Sequence, residues 1–258
     1  MKRILIFLVC LLAALPACAE TYAIGPELPA VEIAVARVGE QAVDENGYSQ
    51  PFIYQFTLTD LATGEALTPV YALSEADAAW GGIYEVADVN FDGYNDLVIA
   101  TAIGASNAIY TFYLWDEAAR TFVWYEGPLL WNYALYPEED CVTSHGTSGW
   151  AGLLHEDRVY TWSADRKELI LSRSSVWDTV HDEQFEEREG GFAMIETYDE
   201  STLRESYYDH MTGEITTVEN PVSRYEEDED FLSERLAAED AFLGMPAEEY
   251  TYNDGTNG

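Results

Sequence analysis

The residues of this sequence best placed to do chemistry are Asp88, Asn90, Asp92 and Asp96, at positions one, three, five and nine of a short run whose sixth position is Gly93. A hard cation of calcium's size takes six to eight oxygens at about 2.3 to 2.6 Å, and alternate side chains of a tight loop can converge on one point. Gly93 permits the bend, Tyr94 offers its backbone carbonyl, and water completes the shell. Without a cation, the three carboxylates crowd one another unfavourably. The twelfth position is Ile99 instead of a bidentate glutamate, and the run continues from Leu97 to Thr101 as a strand. The spacing therefore predicts a structural Ca2+ loop feeding a β-strand, not an EF-hand. An ordinary Asp/Asn/Gly turn between two strands uses the same residue types.

Other constellations carry less. Cys141 and His145 stand four apart, but no nucleophile signature surrounds them, and a lone cysteine packs as a small hydrophobe. His145, His155, His181 and His210 show no spacing of the H-E-x-x-H kind, which argues against a zinc enzyme. The pairs Glu138-Glu139 and Glu186-Glu187 could serve glycoside hydrolysis, yet a chain with 48 acidic residues supplies such pairs by chance. Most tryptophans belong in a β core, with Trp131 and Trp150 the best exposed ones for binding.

These residues must be positioned by strands. Short runs rich in β-branched and aromatic residues recur at Phe52 to Leu58, Leu97 to Thr101, Ala108 to Trp115, Arg158 to Trp162, Glu168 to Ser172 and Leu203 to Tyr208. One turn formula appears twice between such runs, as Asp60, Thr63, Gly64, Glu65 and as Asp209, Thr212, Gly213, Glu214. Both faces of Ala108 to Trp115 are apolar or aromatic, as in an inner strand. Beyond Tyr225, Leu232, Leu236, Phe242 and Leu243 follow a helical spacing, with acidic residues in the first turn and Gly244 then Pro246 as a stop. The expected fold is mostly β, an antiparallel β-sandwich-like or incomplete propeller-like domain with a C-terminal helix. The expected boundaries are residues 1–19 for a signal peptide, 20–225 for a calcium-binding antiparallel β domain, and 226–258 for an acidic helix and flexible tail.

The signal peptide is read from Lys2 and Arg3, the uncharged run Ile4 to Ala17 and the small residues after it. Cleavage after Ala19 and a lipid anchor on Cys18 both fit the pattern, and both place the protein outside the cytoplasm, secreted, periplasmic or held at the cell surface. No later stretch is apolar for the roughly 20 residues that a membrane span needs. A formal charge of -36 repels nucleic acid and anionic lipid and suits cations and basic proteins.

The stretch Asp88 to Thr101 resembles the calcium loops of FG-GAP and integrin-type propeller blades, present here in one copy. From about Tyr84 to Ser172, the succession of aspartate loop, strand, Gly104 to Ser106, aromatic strand to Trp115, Phe122 strand and Ser148-Gly149 resembles a family of bacterial exported proteins. That family is similar in fold to the periplasmic inhibitors of invertebrate-type lysozyme, and some members act as immunity proteins against cell-wall-cleaving toxins. The resemblance implies a calcium-stabilised, non-enzymatic protein-binding module whose partner is a basic cell-wall hydrolase. It also implies a contact loop of the form Ser-Gly-x-x-Tyr, and this sequence departs from that form twice. Ser148 and Gly149 are followed by Trp150, Ala151 and Gly152, while Ser106 and Tyr110 enclose Asn107 where the family has glycine. The alternative from a different class is a cell-envelope carbohydrate-binding module or glycoside hydrolase that uses carboxylates and exposed tryptophans.

Overall fold

The computed structural model describes residues 19–76, 82–149 and 152–245, so the expected signal segment with Cys18, and Trp150, lie outside the described residues. The protein is mostly β, with three antiparallel sheets and a C-terminal helix, sandwich-like and without a closed barrel. The chain divides into two compact units. One holds residues up to Asp88 with Gly93–Thr101 and Phe112–Tyr125; the other holds Val89–Asp92, Ala102–Thr111 and everything from Glu126.

In the first unit β1 (Glu20–Tyr22), β2 (Val31–Arg37), β3 (Phe52–Asp60) and β4 (Val70–Ser74) pair in sequence order. The two-residue period decides which side chains go inside. Val70, Ala72 and Ser74 are buried while Tyr71 and Leu73 between them are exposed. Ile33, Phe56 and Leu58 are inaccessible and pack in one cluster with Leu97, Ile99, Trp115 and Phe122. Each such side chain contributes about 1.5 to 3 kcal/mol by leaving water.

A further sheet runs β5 (Tyr84–Ala87), β6 (Asp96–Ile103), β7 (Ala108–Asp116) and β8 (Thr121–Trp124), with β9 (Leu130–Trp131) also paired to β7. β7 is thus the inner strand that its two apolar faces predict. The aspartate loop joins β5 to β6, with Ala87 opposite Asp96.

The repeated turn formula builds the same turn in both places. Asp60 Oδ1 accepts the amides of Ala62 and Thr63 at 2.8 and 3.1 Å. Asp209 Oδ1 accepts those of Met211 and Thr212 at 2.9 and 3.0 Å. Thr63 and Thr212 then accept from Glu65 and Glu214 at 3.2 and 3.3 Å. Gly64 and Gly213, at φ 72° and 77°, supply the left-handed residue that a β-carbon would disfavour.

In the second unit six strands pair as an antiparallel meander: β10 (Ala134–Tyr136), β11 (Cys141–Ser148), β12 (Leu154–Trp162), β13 (Leu169–Arg188), β14 (Gly191–Asp209) and β15 (Glu214–Pro221). β13 and β14 are each far longer than the runs legible in sequence. Their pairing to outer neighbours stops at Trp177 on one side and Thr202 on the other. From Val180 with Asp199 to Arg188 with Gly191 they continue as a two-stranded arm of about 30 Å, at roughly 3.3 Å per residue. A register shift between Thr179 and Val180 marks where the arm begins.

The chain ends in α1 (Val222–Glu227) and α2 (Glu229–Leu243). Asp228 separates them, capping α2 by accepting the Phe231 amide at 3.0 Å. Glu229 and Asp230 occupy the first turn, favourably for the helix dipole, and Gly244 ends the helix in the left-handed conformation. Among the described residues no helix is long and apolar enough to cross a membrane.

Candidate functional site

On β11, β12 and β13 the registers place side chains in two rows across one sheet face. His145 stands opposite Asp157 and Asp157 opposite Ser175; Thr147 stands opposite His155 and His155 opposite Trp177. On β14 the rows continue to Tyr207 and Glu205. Alternation along each strand sends every second residue to this face, so His145 with Thr147, and His155 with Asp157, arrive as i, i+2 pairs.

Helix α2 covers the rows with two charged residues one turn apart, Arg235 and Glu239. Arg235 Nε reaches Glu205 Oε2 at 2.9 Å and Oε1 at 3.2 Å, and Nη2 also bonds Oε2. Glu205, wholly buried, further accepts from the Tyr207 hydroxyl at 2.6 Å and from the Tyr225 hydroxyl. Burial, then the bond to Glu205, holds both phenols protonated far above their ordinary range. Glu239 meets β12 and β13. Each of its oxygens lies 3.2 Å from His155 Nε2, and the Ser175 hydroxyl donates to Oε1.

Asp157 serves two imidazoles. Its Oδ1 is 2.6 Å from His145 Nδ1, and its Oδ2 is 3.3 Å from His155 Nε2. With Nδ1–H given to Asp157, His145 Nε2 accepts the Thr147 hydroxyl at 2.7 Å. Hydroxyl, imidazole and carboxylate stand in the order used by hydrolase triads. The Thr147 amide does not form an oxyanion hole, since it donates to Asn107 Oδ1 at 2.9 Å. The relay can therefore move a proton and orient Asp157, while His155, Asp157 and Glu239 could hold a cation.

Among the described residues, the one group of three or more His, Cys, Asp or Glu side chains with ligand atoms all within 4.8 Å of one another is His155, Asp157 and Glu239, each buried. It is not in the aspartate loop. Burial alone would lower the pKa of His155, but Glu239 and then Asp157 outweigh it and push it up to about 9. Burial, then the charges of Glu239 and Asp157, raises Asp240 to about 6. Beside the cluster lies a cavity of about 370 Å³ whose apolar wall is Leu153, Trp177, Leu232 and Leu236.

The residues singled out by sequence fall elsewhere. Asp88 Oδ2 accepts the Gly93 amide at 2.9 Å, Asn90 Nδ2 donates to Asp92 Oδ2 at 3.0 Å, and Asp96 Oδ1, wholly buried, accepts the Trp115 amide at 2.8 Å. Tyr94 is half-buried and lies against Gly25, where a β-carbon would come within 2.6 Å of its ring. The two contact-loop stretches are brought together through Asn107, which exchanges hydrogen bonds with the Thr147 backbone at 2.8 and 2.9 Å. Ser106 gives its carbonyl to Asn132, Tyr110 packs edge-on against Tyr133, and Ser148 Oγ donates to the Leu154 carbonyl at 3.4 Å beside the left-handed Gly149. Cys141 and His145 are separated by four residues of extended strand, about 13 Å, so they form no thiolate pair. Burial, then Glu139 and Asp140, raises the Cys141 thiol to about 11.

Sequence reasoning passed over the rows themselves. Their signal was the period-two pattern His145, Thr147 and His155, Asp157 on neighbouring strands, with Arg235 and Glu239 four apart on a helix. No protein-family model matches this chain, and no curated protein matches it.

Proposed function

We propose that this is an exported, non-enzymatic protein-binding module that docks a basic partner through the β13–β14 arm, the partner class being a basic cell-wall-lytic hydrolase. The observation that carries this reading is the one-sidedness of the arm. Phe185 pairs with Met194, Glu187 with Phe192 and His181 with Tyr198, so the four exposed large apolar side chains share one face, with the half-buried Val180 and Ile195 on the other. They are 68%, 50%, 75% and 55% exposed for Phe185, Met194, Phe192 and Tyr198 respectively. Glu183, Glu187 and Glu196 share that face, and Asp182, Glu186 and Glu189 add to the charge of the arm, against Arg188 as the only Lys or Arg in the stretch. An apolar strip rimmed with one sign of charge suits a partner of the opposite sign, with aromatic side chains as the anchors.

The test is binding of the purified protein to a panel of basic lysozyme-type hydrolases and to acidic proteins of similar size. Phe185→Ser with Phe192→Ser should cut affinity for the basic partner at least 30-fold and leave the melting temperature unchanged, because neither side chain is in a core. Equal binding by the double variant and the wild type removes the arm from the interface. Binding to glycans but to none of the hydrolases favours the carbohydrate reading.

The Asp88 to Asp96 loop is the proposed calcium clamp of this module, supported by its residue spacing and its place between β5 and β6. Calcium is expected to raise the melting temperature of the chelator-treated protein, since binding only the folded state adds stability. Asp92→Ala should abolish the rise. An identical melt with calcium and with chelator counts against the loop as a metal site.

A further inference from the structure

We propose that His155, Asp157 and Glu239 form a zinc site, separate from the calcium loop and independent of the arm. The first argument is geometric. His155 Nε2 lies 3.2 Å from both Glu239 oxygens and 3.3 Å from Asp157 Oδ2. A charge-assisted N–H···O bond is shorter, about 2.7 to 2.9 Å, and one proton cannot serve three oxygens well. Ligands held at about 2.0 to 2.1 Å in a tetrahedron stand about 3.3 Å apart. His155 is thus spaced from both carboxylates as neighbouring ligands of one centre are, and the three ligand atoms lie within 4.8 Å of one another.

The second argument is the orientation of each ligand. His155 Nδ1 is 2.7 Å from the Gly152 carbonyl, so that nitrogen carries a proton and Nε2 is the one turned to the carboxylates. Asp157 is held through its other oxygen by His145, at 2.6 Å, and Glu239 by the Ser175 hydroxyl. Every ligand therefore has its own outer partner, the arrangement that fixes metal-binding imidazoles and carboxylates.

Charge supplies the third argument. Asp157 and Glu239 are each only 5% exposed in their side chains, and one imidazole, even protonated, offsets the charge of only one of the two buried carboxylates. A dication balances both. The ring nitrogen excludes magnesium as a good fit, and three small-spaced ligands fall short of the six to eight oxygens calcium takes, whereas borderline-soft zinc accepts nitrogen and oxygen together. His155, Asp157 and Glu239 themselves line the cavity walled by Leu153, Trp177 and Leu236, from which water or a small ligand would complete the shell.

The test titrates chelator-treated full-length protein with Zn2+ alone, by calorimetry and by metal analysis after dialysis. One tightly held zinc per chain is expected, and X-ray absorption at the zinc edge should report one nitrogen and the remainder oxygen at about 2.0 to 2.2 Å, with no sulfur. Glu239→Gln, close in shape to the native residue, should lower affinity at least 100-fold. His145→Ala, which removes the partner of the outer oxygen of Asp157, should lower it 10- to 100-fold. Asp92→Ala should leave zinc affinity unchanged, which separates this site from the calcium loop. Folded wild-type protein that retains no zinc, a sulfur-containing shell, or undiminished affinity in Glu239→Gln would each overturn the proposal. Should Glu239→Gln fail to fold by circular dichroism, the absorption spectrum of the wild-type protein decides alone.

Discussion

Arg235→Ala is expected to destabilise the second unit by about 3 to 5 kcal/mol in urea or thermal unfolding, because it strands the wholly buried Glu205 carboxylate. The native carboxylate is satisfied by a bidentate guanidinium and two phenols. Removing the cation leaves the phenols but no opposing charge in a medium where a lone anion is poorly tolerated. The control is Arg204→Ala. Its partner Glu219 and Arg204 itself are substantially exposed, and such a pair contributes about 0 to 1 kcal/mol. Equal costs for the two substitutions would show that Glu205 is not isolated from water. Pairing Arg235→Met with Glu205→Gln removes both charges together, so the double variant should recover part of the loss.

Trp177→Ala should cost a similar amount, about 3 to 5 kcal/mol, for an unrelated reason. Trp177 is 1% exposed and stacks on His155 with centroids 4.8 Å apart, while Tyr225 meets its edge at 5.6 Å. Its removal leaves a void between sheet and helix that Leu153, Leu203 and Val222 of the same cluster cannot fill. Among the described residues the indole N–H of Trp177 has no hydrogen-bond partner. Trp177→Phe removes that unpaired donor and keeps a ring in place, so it should cost much less than alanine. If phenylalanine and alanine are equally damaging, the indole N–H has an acceptor. Because Tyr225 touches both Trp177 and Glu205, the two alanine substitutions are expected to combine non-additively.

Where structure depends on neighbours in sequence, it was readable from sequence. The Asp-x-x-Thr-Gly-Glu turn needs only its own backbone amides and one left-handed glycine, so two copies fold alike. The inner position of β7 follows from its two apolar faces, and the end of α2 from Gly244. The arm was illegible because its first half, Asp182 to Arg188, holds one apolar residue, Phe185, among polar and charged ones, and neither strand has a buried face there to announce it. The spacing of Leu232, Leu236, Phe242 and Leu243 locates the helix but not its inner surface: Leu243 is buried and so is Glu239, while Leu236 is 41% exposed. The His155, Asp157, Glu239 cluster joins residues 84 apart in the chain, and nothing local to either strand or helix specifies that meeting.

The opposite charges of Arg235 and Glu239 give α2 a polarity that an apolar helix would lack. Seated as observed, the cation lies on Glu205 of β14 and the anion on His155 of β12. Reversed end for end, the same helix would press Arg235 toward an imidazole and Glu239 toward a carboxylate, both unfavourable. Strands β14 and β12 thus read the direction of the helix as a keyed joint does, and discriminate against the inverted packing more strongly than they add to the stability of the correct one.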